Sequence, residues 1–137
     1  GIQFDTAGAS GDADLLAALE ASKILSQKYP DLSITMGMAN EFTLGMHGRL
    51  KFEGEKLAGQ YPAKQVRSAA AAGVHSYGPV VNTNSSKSFA WNLSRSLTHV
   101  QEATRAGASK RRDGSLRDSA YNHLPHRLRY ENLQGDA

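Results

Sequence analysis

Hydrophobic residues recur along the chain in three similar units, each starting with a short apolar run and continuing into a segment of helical periodicity. The apolar runs predict strands at residues 1–6, 32–39 and 74–81. The periodic segments predict helices at residues 12–29, 62–72 and 88–105. Strand starts about 30–40 residues apart are typical of βαβ units, so the pattern predicts an α/β fold with a parallel sheet.

Proline and glycine mark the ends of these elements. Pro30 ends the first helix, Pro62 is well placed as a first helical residue, and Gly73 is a natural C-terminal stop for the second helix. Between the second strand and the second helix, residues 50–57 predict a small β-hairpin that turns at Gly54. The connection between these two elements is therefore long.

Two of the predicted helices have an apolar stripe that we expect to face the sheet. In the first helix the stripe consists of Leu15, Ala18, Leu19, Ser22, Leu25 and Tyr29. In the third helix it consists of Phe89, Leu93, Ser96, Leu97, Val100 and Thr104.

The periodic pattern lapses after Gly107. We expect residues 1–107 to form one α/β domain and residues 108–137 to form a poorly ordered basic tail, or at best a short helix near residues 115–122. Three units cannot close a barrel, which takes eight units and roughly 250 residues. A gene truncation or frame shift would produce such a change of pattern, and so would a genuine alternative C-terminus.

Composition narrows the function classes. The chain has 137 residues, 39% of them hydrophobic and 21% charged, with a mean hydropathy of −0.49, which suits one modest core. No run approaches the ~18 apolar residues of a membrane span, and the N-terminus lacks a signal-peptide pattern. The absence of cysteine excludes cysteine nucleophiles and thiolate metal sites. We therefore expect a cytoplasmic protein that does not contact membranes.

The net charge of +3 is unevenly distributed. Residues 1–107 hold 10 Lys and Arg against 9 Asp and Glu, whereas residues 108–137 hold 6 against 4. A pI near 9.3 invites a nucleic-acid interpretation, but the body of the chain has no basic stripe interleaved with aromatic residues. We therefore predict no nucleic-acid partner.

Candidate chemistry gathers where the predicted strands end, because loops at the carboxyl ends of parallel strands form the sites of α/β folds. These loops hold Asp5, Glu41, His47, Asn82 and Asn84. Glu41 and His47 could act as an acid–base pair or as metal ligands, and the asparagines could bind a polar substrate. Each residue also has an ordinary alternative, as a solvated loop residue or as a cap of a turn or helix.

Two other motifs are weaker. The loop at residues 8–11 could present backbone N–H groups to an anion, but it lacks both the Walker lysine and the GxGxxG spacing. His123 and His126 flank Pro125, which breaks helical spacing, and no third ligand is evident. We therefore predict no metal site.

Four longer strings occur in order along the chain: GIQFDTAGASGD, ITMGMANEFTLGMHG, LKFEGEKLAGQYP and YGPVVNTNSSKSFAWNLSR. Together they resemble the dimethylamine methyltransferase family, the corrinoid-dependent enzymes whose archaeal members carry pyrrolysine. The resemblance covers about residues 1–106. It implies a TIM (β/α)8 barrel, of which this chain would supply about three βα units.

The resemblance also implies a reaction, a step of methylamine metabolism and methanogenesis. The family transfers a methyl group from dimethylamine to the Co(I) of a corrinoid carried by a partner protein that docks at the barrel mouth. Pyrrolysine, which captures the amine in the family's mechanism, is absent from this chain. We therefore expect a methyltransferase fragment that is inactive alone, and self-association into a homo-oligomer stays open.

By the same resemblance, the five candidates face the amine or the corrinoid. Glu41 would balance the cationic amine, and His47 and Asn82 would hydrogen-bond the amine or the corrinoid. Glu41 and His47 are thus the catalytic candidates, and Asp5, Asn82 and Asn84 are the substrate-binding candidates. The alternative from another class is a non-catalytic α/β module that binds a small anion at the same loops or a protein partner at its strand edges.

Overall fold

A computed structural model describes residues 1–5, 11–39, 47–80 and 90–112 of the chain. Strands and helices alternate along these residues, with a small hairpin inserted before the second helix. In chain order the elements are β1 (Ile2–Asp5), α1 (Asp12–Lys28), β2 (Ile34–Ala39), β3 (Lys51–Phe52), β4 (Glu55–Lys56), α2 (Pro62–Ala71), β5 (Ser76–Val80) and α3 (Ala90–Arg112).

The three main strands form one parallel sheet in the order β1-β2-β5. Met36 at the centre of β2 pairs with Phe4 on one side and with Tyr77 on the other. Because side chains alternate along a strand, these three positions share one face of the sheet. The mixed α/β fold and the parallel sheet predicted from the sequence are confirmed.

The helices cover the face of the sheet that carries Met36. Ile34 and Met36 are fully buried in one cluster with residues of all three helices and of the hairpin. The buried members of this core are Leu15, Leu19, Ile34, Met36, Phe52, Leu57, Val66, Ala69, Ala72, Val74, Tyr77 and Ala103. A single core therefore joins the described elements.

Helix α1 occupies the predicted residues and buries the predicted stripe except at its end. Leu15, Leu19 and Ser22 are buried, and the Ser22 hydroxyl donates to the Ala18 carbonyl oxygen at 2.8 Å. Tyr29, predicted to belong to the stripe, is 49% exposed. Its backbone already leaves helical geometry at the C-cap, so the helical spacing no longer directs its side chain inward.

The predicted hairpin is present as β3 and β4, with its turn at Glu53 and Gly54. Phe52 is buried in the core, and Lys23 of α1 lies over its ring, 5.8 Å from the centroid. The Lys23 ammonium also pairs with the Glu53 carboxylate, whose hydrogen bond raises the pKa of Lys23. On the α2 side, Lys64 pairs with Glu55 at 3.1 Å. The hairpin is thus fastened to both helices.

Helix α2 begins at Pro62 and stops at the predicted glycine. The Val74 N–H donates to the Ala69 carbonyl oxygen and the Gly73 N–H to that of Ala70, each at 3.0 Å, which is the Schellman pattern. Gly73 has φ +76, and a Cβ there would lie 2.3 Å from Ser26 Oγ. Both the backbone conformation and the contact with α1 therefore require glycine at this position.

Helix α3 differs from its prediction in length and in the face it buries. It continues through Gly107, which is buried, to Arg112, so the first residues of the predicted tail are helical. Of the three stripe residues whose side chains the structure describes, Leu97 is 58% exposed, Thr104 is exposed and Val100 is half-buried, so the predicted stripe is wrong at two of these three positions. His99, Ala103 and Gly107 are buried instead.

The face that α3 buries follows from its neighbours rather than from its own hydrophobicity. Small residues such as Ala103 and Gly107 let helix backbones approach closely, and α3 packs extensively on α2. The remaining stripe residues, Phe89, Leu93 and Ser96, lie outside the residues whose side chains are described. In the described ranges, no helix combines the length and the apolar character needed to cross a bilayer.

Polar side chains fill the space between β5, α2 and α3. The Tyr77 hydroxyl donates to Gln65 Oε1 at 2.6 Å, and Gln65 Nε2 donates to the Gln60 carbonyl oxygen at 2.9 Å. Gln60 Nε2 in turn donates to Ser68 Oγ at 3.2 Å. His99 Nε2 lies 3.3 Å from the Tyr77 oxygen, and since the single phenol hydrogen goes to Gln65, His99 is the donor there. We call these five residues the buried polar cluster.

Candidate functional site at the carboxyl edge of the sheet

The parallel register brings the carboxyl ends of the three strands to one edge of the sheet. Strand β1 ends at Asp5, β2 at Ala39 and β5 at Val80, and Ala39 pairs with Val80. In parallel sheets this edge is where ligands bind, because loops from neighbouring strands converge there. We call it the carboxyl edge.

Three of the predicted site residues end one of these strands or closely follow it in the sequence. Asp5 is the last residue of β1, whereas Glu41 follows the end of β2 by two residues and Asn82 follows the end of β5 by two. Glu41, Asn82 and Asn84 lie outside the described residues, as does the side chain of Asp5. Their predicted roles remain predictions.

His47 is described, and its side chain is exposed. It lies at the start of the segment that leads to the hairpin. Leu50, three residues later, donates its backbone N–H to Asp12 Oδ2 at 2.8 Å. Because Asp12 is the first residue of α1, this hydrogen bond holds the His47 segment beside the N-terminus of that helix.

Asp12 is a residue whose contribution the sequence did not reveal. Its position at the start of a helix predicts a favourable interaction with the helix dipole and nothing more. The residue that it binds is 38 positions away in the chain, and no spacing rule connects the two. Gly48 also stands against the same carboxylate, since a Cβ at this position would lie 1.9 Å from Asp12 Oδ2.

A row of small residues crosses the sheet next to Asp5. Asp5 pairs with Gly37, and Gly37 pairs with Gly78. Gly37 and Gly78 alternate with Met36 and Tyr77 along their strands, so these two glycines belong to the face opposite the helices. Gly37 and Gly78 are both buried, and as glycines they contribute only backbone close to the carboxyl edge.

The buried polar cluster lies on the other face of the sheet. Burial raises the pKa of the Tyr77 hydroxyl, so the phenol stays neutral in the folded protein at physiological pH. Each member of the cluster is packed between helices and strand, and none is exposed. We therefore interpret the cluster as part of the core rather than as a reactive site.

The described residues contain no group of three or more His, Asp or Glu side chains that could hold a metal ion. The glycine-containing loop considered as an anion site lies mostly outside the described residues. Its last residue, Gly11, is the N-cap of α1 with extended backbone and forms no side-chain cap. Asp12 and Asp14 follow in the first turn and would repel a phosphate.

Comparison with protein families identifies a match for this chain. The sequence model of a family described as dimethylamine methyltransferase matches residues 1–110, which is most of the 137-residue chain. The match includes all three strand–helix units and ends within α3. No solved structure matches the chain.

Proposed function

The chain belongs to the dimethylamine methyltransferase family, and from that membership we propose that it contributes the amine-binding edge of a methyltransferase acting on dimethylamine. The family match over residues 1–110 carries this proposal. The convergence of three strand ends at one edge supports it, because each of the five candidate residues ends one of these strands or follows it in the sequence before the next helix.

The fold that we propose for the complete catalytic unit is a (β/α)8 barrel, to which these residues contribute three units. Two features of the described sheet support this. Within the described residues, the helices pack on the face that carries Met36 and Tyr77, and the opposite face carries polar or small residues such as Gln3, Thr35 and Gly78. Parallel strands are normally covered on both faces, and closure into a barrel would cover this one.

In the proposed site, carboxylates bind the protonated amine. Dimethylammonium is a small cation with two N–H donors, and Glu41 and Asp5 would each accept one of them. Gly37 and Gly78, which follow Asp5 across the sheet, would contribute only backbone atoms to such a site. Asn82 and Asn84 would fix the orientation of the amine through hydrogen bonds, which is the contribution that positioning makes to a displacement reaction.

The methyl acceptor in this proposal is the Co(I) of a corrinoid carried by a partner protein, which supplies the nucleophile for the methyl carbon. When bound, that cofactor would accept the methyl group as a new Co–C bond, and the nitrogen would keep the electron pair of the broken C–N bond and depart as methylamine. His47 is exposed in a segment that is bound to the N-terminus of α1, and its imidazole would hydrogen-bond the corrinoid or the amine.

The test begins with binding. The full chain is titrated with dimethylammonium chloride, and the heat of binding is measured by isothermal titration calorimetry. We expect saturable binding, which ammonium chloride at equal ionic strength does not reproduce. Glu41→Gln is expected to weaken this binding by at least about tenfold, because a hydrogen bond to a charged group is lost. Glu55→Gln, which removes the same charge from the hairpin, is the matched control and is expected to bind as the wild type does.

The second stage measures methyl transfer. When a reduced corrinoid protein is added together with the other parts of the barrel, methylamine is expected to form with the wild-type chain and to fall severely with Glu41→Gln. Wild-type turnover by Glu41→Gln would refute its role. Absence of any dimethylammonium-specific binding or turnover would instead favour the non-catalytic binding module.

A further inference from the structure

One contact ties the segment that carries His47 to the first helix. Asp12 Oδ2 accepts the Leu50 N–H at 2.8 Å, and the backbone at Gly48 lies so close that a Cβ there would be 2.1 Å from Asp12 Cγ. Gly48 is not among the residues with positive φ, so its requirement for glycine is steric. The backbone from Gly48 to Leu50 therefore wraps around the Asp12 carboxylate.

The chain beyond this contact is fixed as well. The Leu50 carbonyl oxygen accepts the Leu57 N–H at 3.1 Å, which places Leu50 at the base of the hairpin. Phe52 and Leu57 are buried, and Glu53 pairs with Lys23 further along α1. After Gly48 the segment thus makes polar contacts with Asp12 and Lys23 of α1, and the contact with Asp12 is the one nearer to His47 in the sequence.

We propose that Asp12 is a positioning residue, which fixes His47 beside the N-terminus of α1 by binding the Leu50 amide and packing against Gly48. The proposal rests on the proposed function, in which His47 hydrogen-bonds the amine or the corrinoid. His47 directly precedes Gly48 in sequence, so a displacement of the Gly48 backbone moves the imidazole. Asp12 itself does not touch the substrate.

A carboxylate at position 12 is well suited to hold the Leu50 amide in place, and we call this contact the anchor. A carboxylate in the first turn of α1 is stabilised by the helix dipole, and a hydrogen bond to a charged acceptor is stronger than one between neutral groups. The backbone amide of Leu50 gains a partner that a side chain without an acceptor could not provide. Asparagine would keep the acceptor and lose the charge, whereas alanine would lose both.

The anchor is tested by amide hydrogen exchange on the full chain. Exchange of the Leu50 amide is expected to accelerate about tenfold in Asp12→Ala, because one hydrogen bond is lost, and less in Asp12→Asn. Asp31→Ala removes the same charge from an exposed residue after α1 and is expected to leave this amide unchanged. Unchanged Leu50 exchange in Asp12→Ala would overturn the proposal.

Gly48→Ala tests the packing half of the contact. Alone, the new methyl group is expected to displace the Asp12 carboxylate and to accelerate Leu50 exchange as Asp12→Ala does. In the Asp12→Ala background the same substitution is expected to add no further acceleration, because the clashing group is gone. Full additivity of the two effects would show that Gly48 and Asp12 act independently, and would overturn the proposal.

Whether the anchor affects ligand binding is measured by NMR on the imidazole of His47. In the wild-type chain, its NMR resonances are expected to shift on titration with dimethylammonium, with an affinity that falls in Asp12→Ala and is largely restored in Asp12→Asn. Equal affinities in the wild type and Asp12→Ala, despite faster Leu50 exchange, would overturn the positioning role. A wild-type chain without any His47 response would overturn the proposed function instead, and the exchange results would still decide whether Asp12 is an anchor.

Discussion

Two parts of the interior differ in the kind of contact that holds them together. Between α1 and the sheet the contacts are apolar, with Leu15 and Leu19 fully buried in one cluster with Ile34 and Met36. Between β5, α2 and α3 lies the buried polar cluster, in which the Tyr77 hydroxyl contacts Gln65 and His99. Both parts belong to one core, yet only the first consists of large aliphatic side chains.

The difference teaches how each part is specified. Apolar contacts depend on volume and tolerate small shifts, so helix periodicity is enough to specify the α1 interface. A buried polar cluster is stable only when each donor meets its acceptor, and it therefore restricts how α2 and α3 can approach the strand. The described residues contain no buried side-chain nitrogen or oxygen without a partner, so this condition is met.

The largest loss of stability is expected from a substitution in the apolar contact between α1 and the sheet. Leu19→Ala should lower the free energy of unfolding by about 2–5 kcal/mol, because it removes a fully buried side chain and leaves a cavity. Urea denaturation, monitored by circular dichroism, measures this loss of stability. Leu97→Ala is the matched control, because Leu97 is 58% exposed and its truncation should change the stability little. An equally large loss in Leu97→Ala would restore the stripe predicted from the sequence.

The next effect breaks the polar part. Tyr77→Phe keeps the ring and removes the hydroxyl, leaving Gln65 and His99 without this partner, and should cost about 1–3 kcal/mol in urea denaturation. Tyr61→Phe removes a hydroxyl from a side chain that is 73% exposed and should be neutral. A neutral result for Tyr77→Phe would mean that the cluster does not hold α2 and α3 in place.

The pH dependence of stability at alkaline pH tests the polar part without a substitution in the core. Burial raises the pKa of Tyr77 above the ordinary tyrosine value of 10.0, so the folded state holds this proton more tightly than the unfolded state. The contribution of the protonated Tyr77 hydroxyl to the free energy of unfolding is therefore fully present below pH 10. Above pH 10 this contribution falls, by up to about 1.4 kcal/mol per pH unit. Unfolding measured from pH 8 to pH 11 should show this decline in the wild type and a weaker one in Tyr77→Phe.

The smallest expected effect concerns the surface contact between α1 and the hairpin. Lys23→Met removes the charge that pairs with Glu53 and keeps a side chain able to cover Phe52. The melting temperature should change less than in any variant above, since exposed ion pairs are screened by water. The difference from the wild type should shrink further in high salt, and a salt-independent difference would indicate packing instead.

Much of the fold was predictable because it depends on local rules. Alternation and helical spacing identified all three βα units, Pro62 and Gly73 set the ends of α2, and the hairpin was recognised from its turn. The stripe on α3 failed because neighbouring helices select the face that a helix buries. His99, Ala103 and Gly107 carry less hydrophobicity than Leu97, yet they are the residues that fit against α2 and β5.

For the candidate site, the sequence by itself determined the family, the type of fold and which residues follow the strand ends, because strings of residues and their spacing are properties of the chain. Only the tertiary structure decided that Asp12 binds Leu50 and that Asp5, Gly37 and Gly78 form one row. Contacts between residues distant in sequence depend on strand register and helix packing, which are fixed only when the whole core assembles.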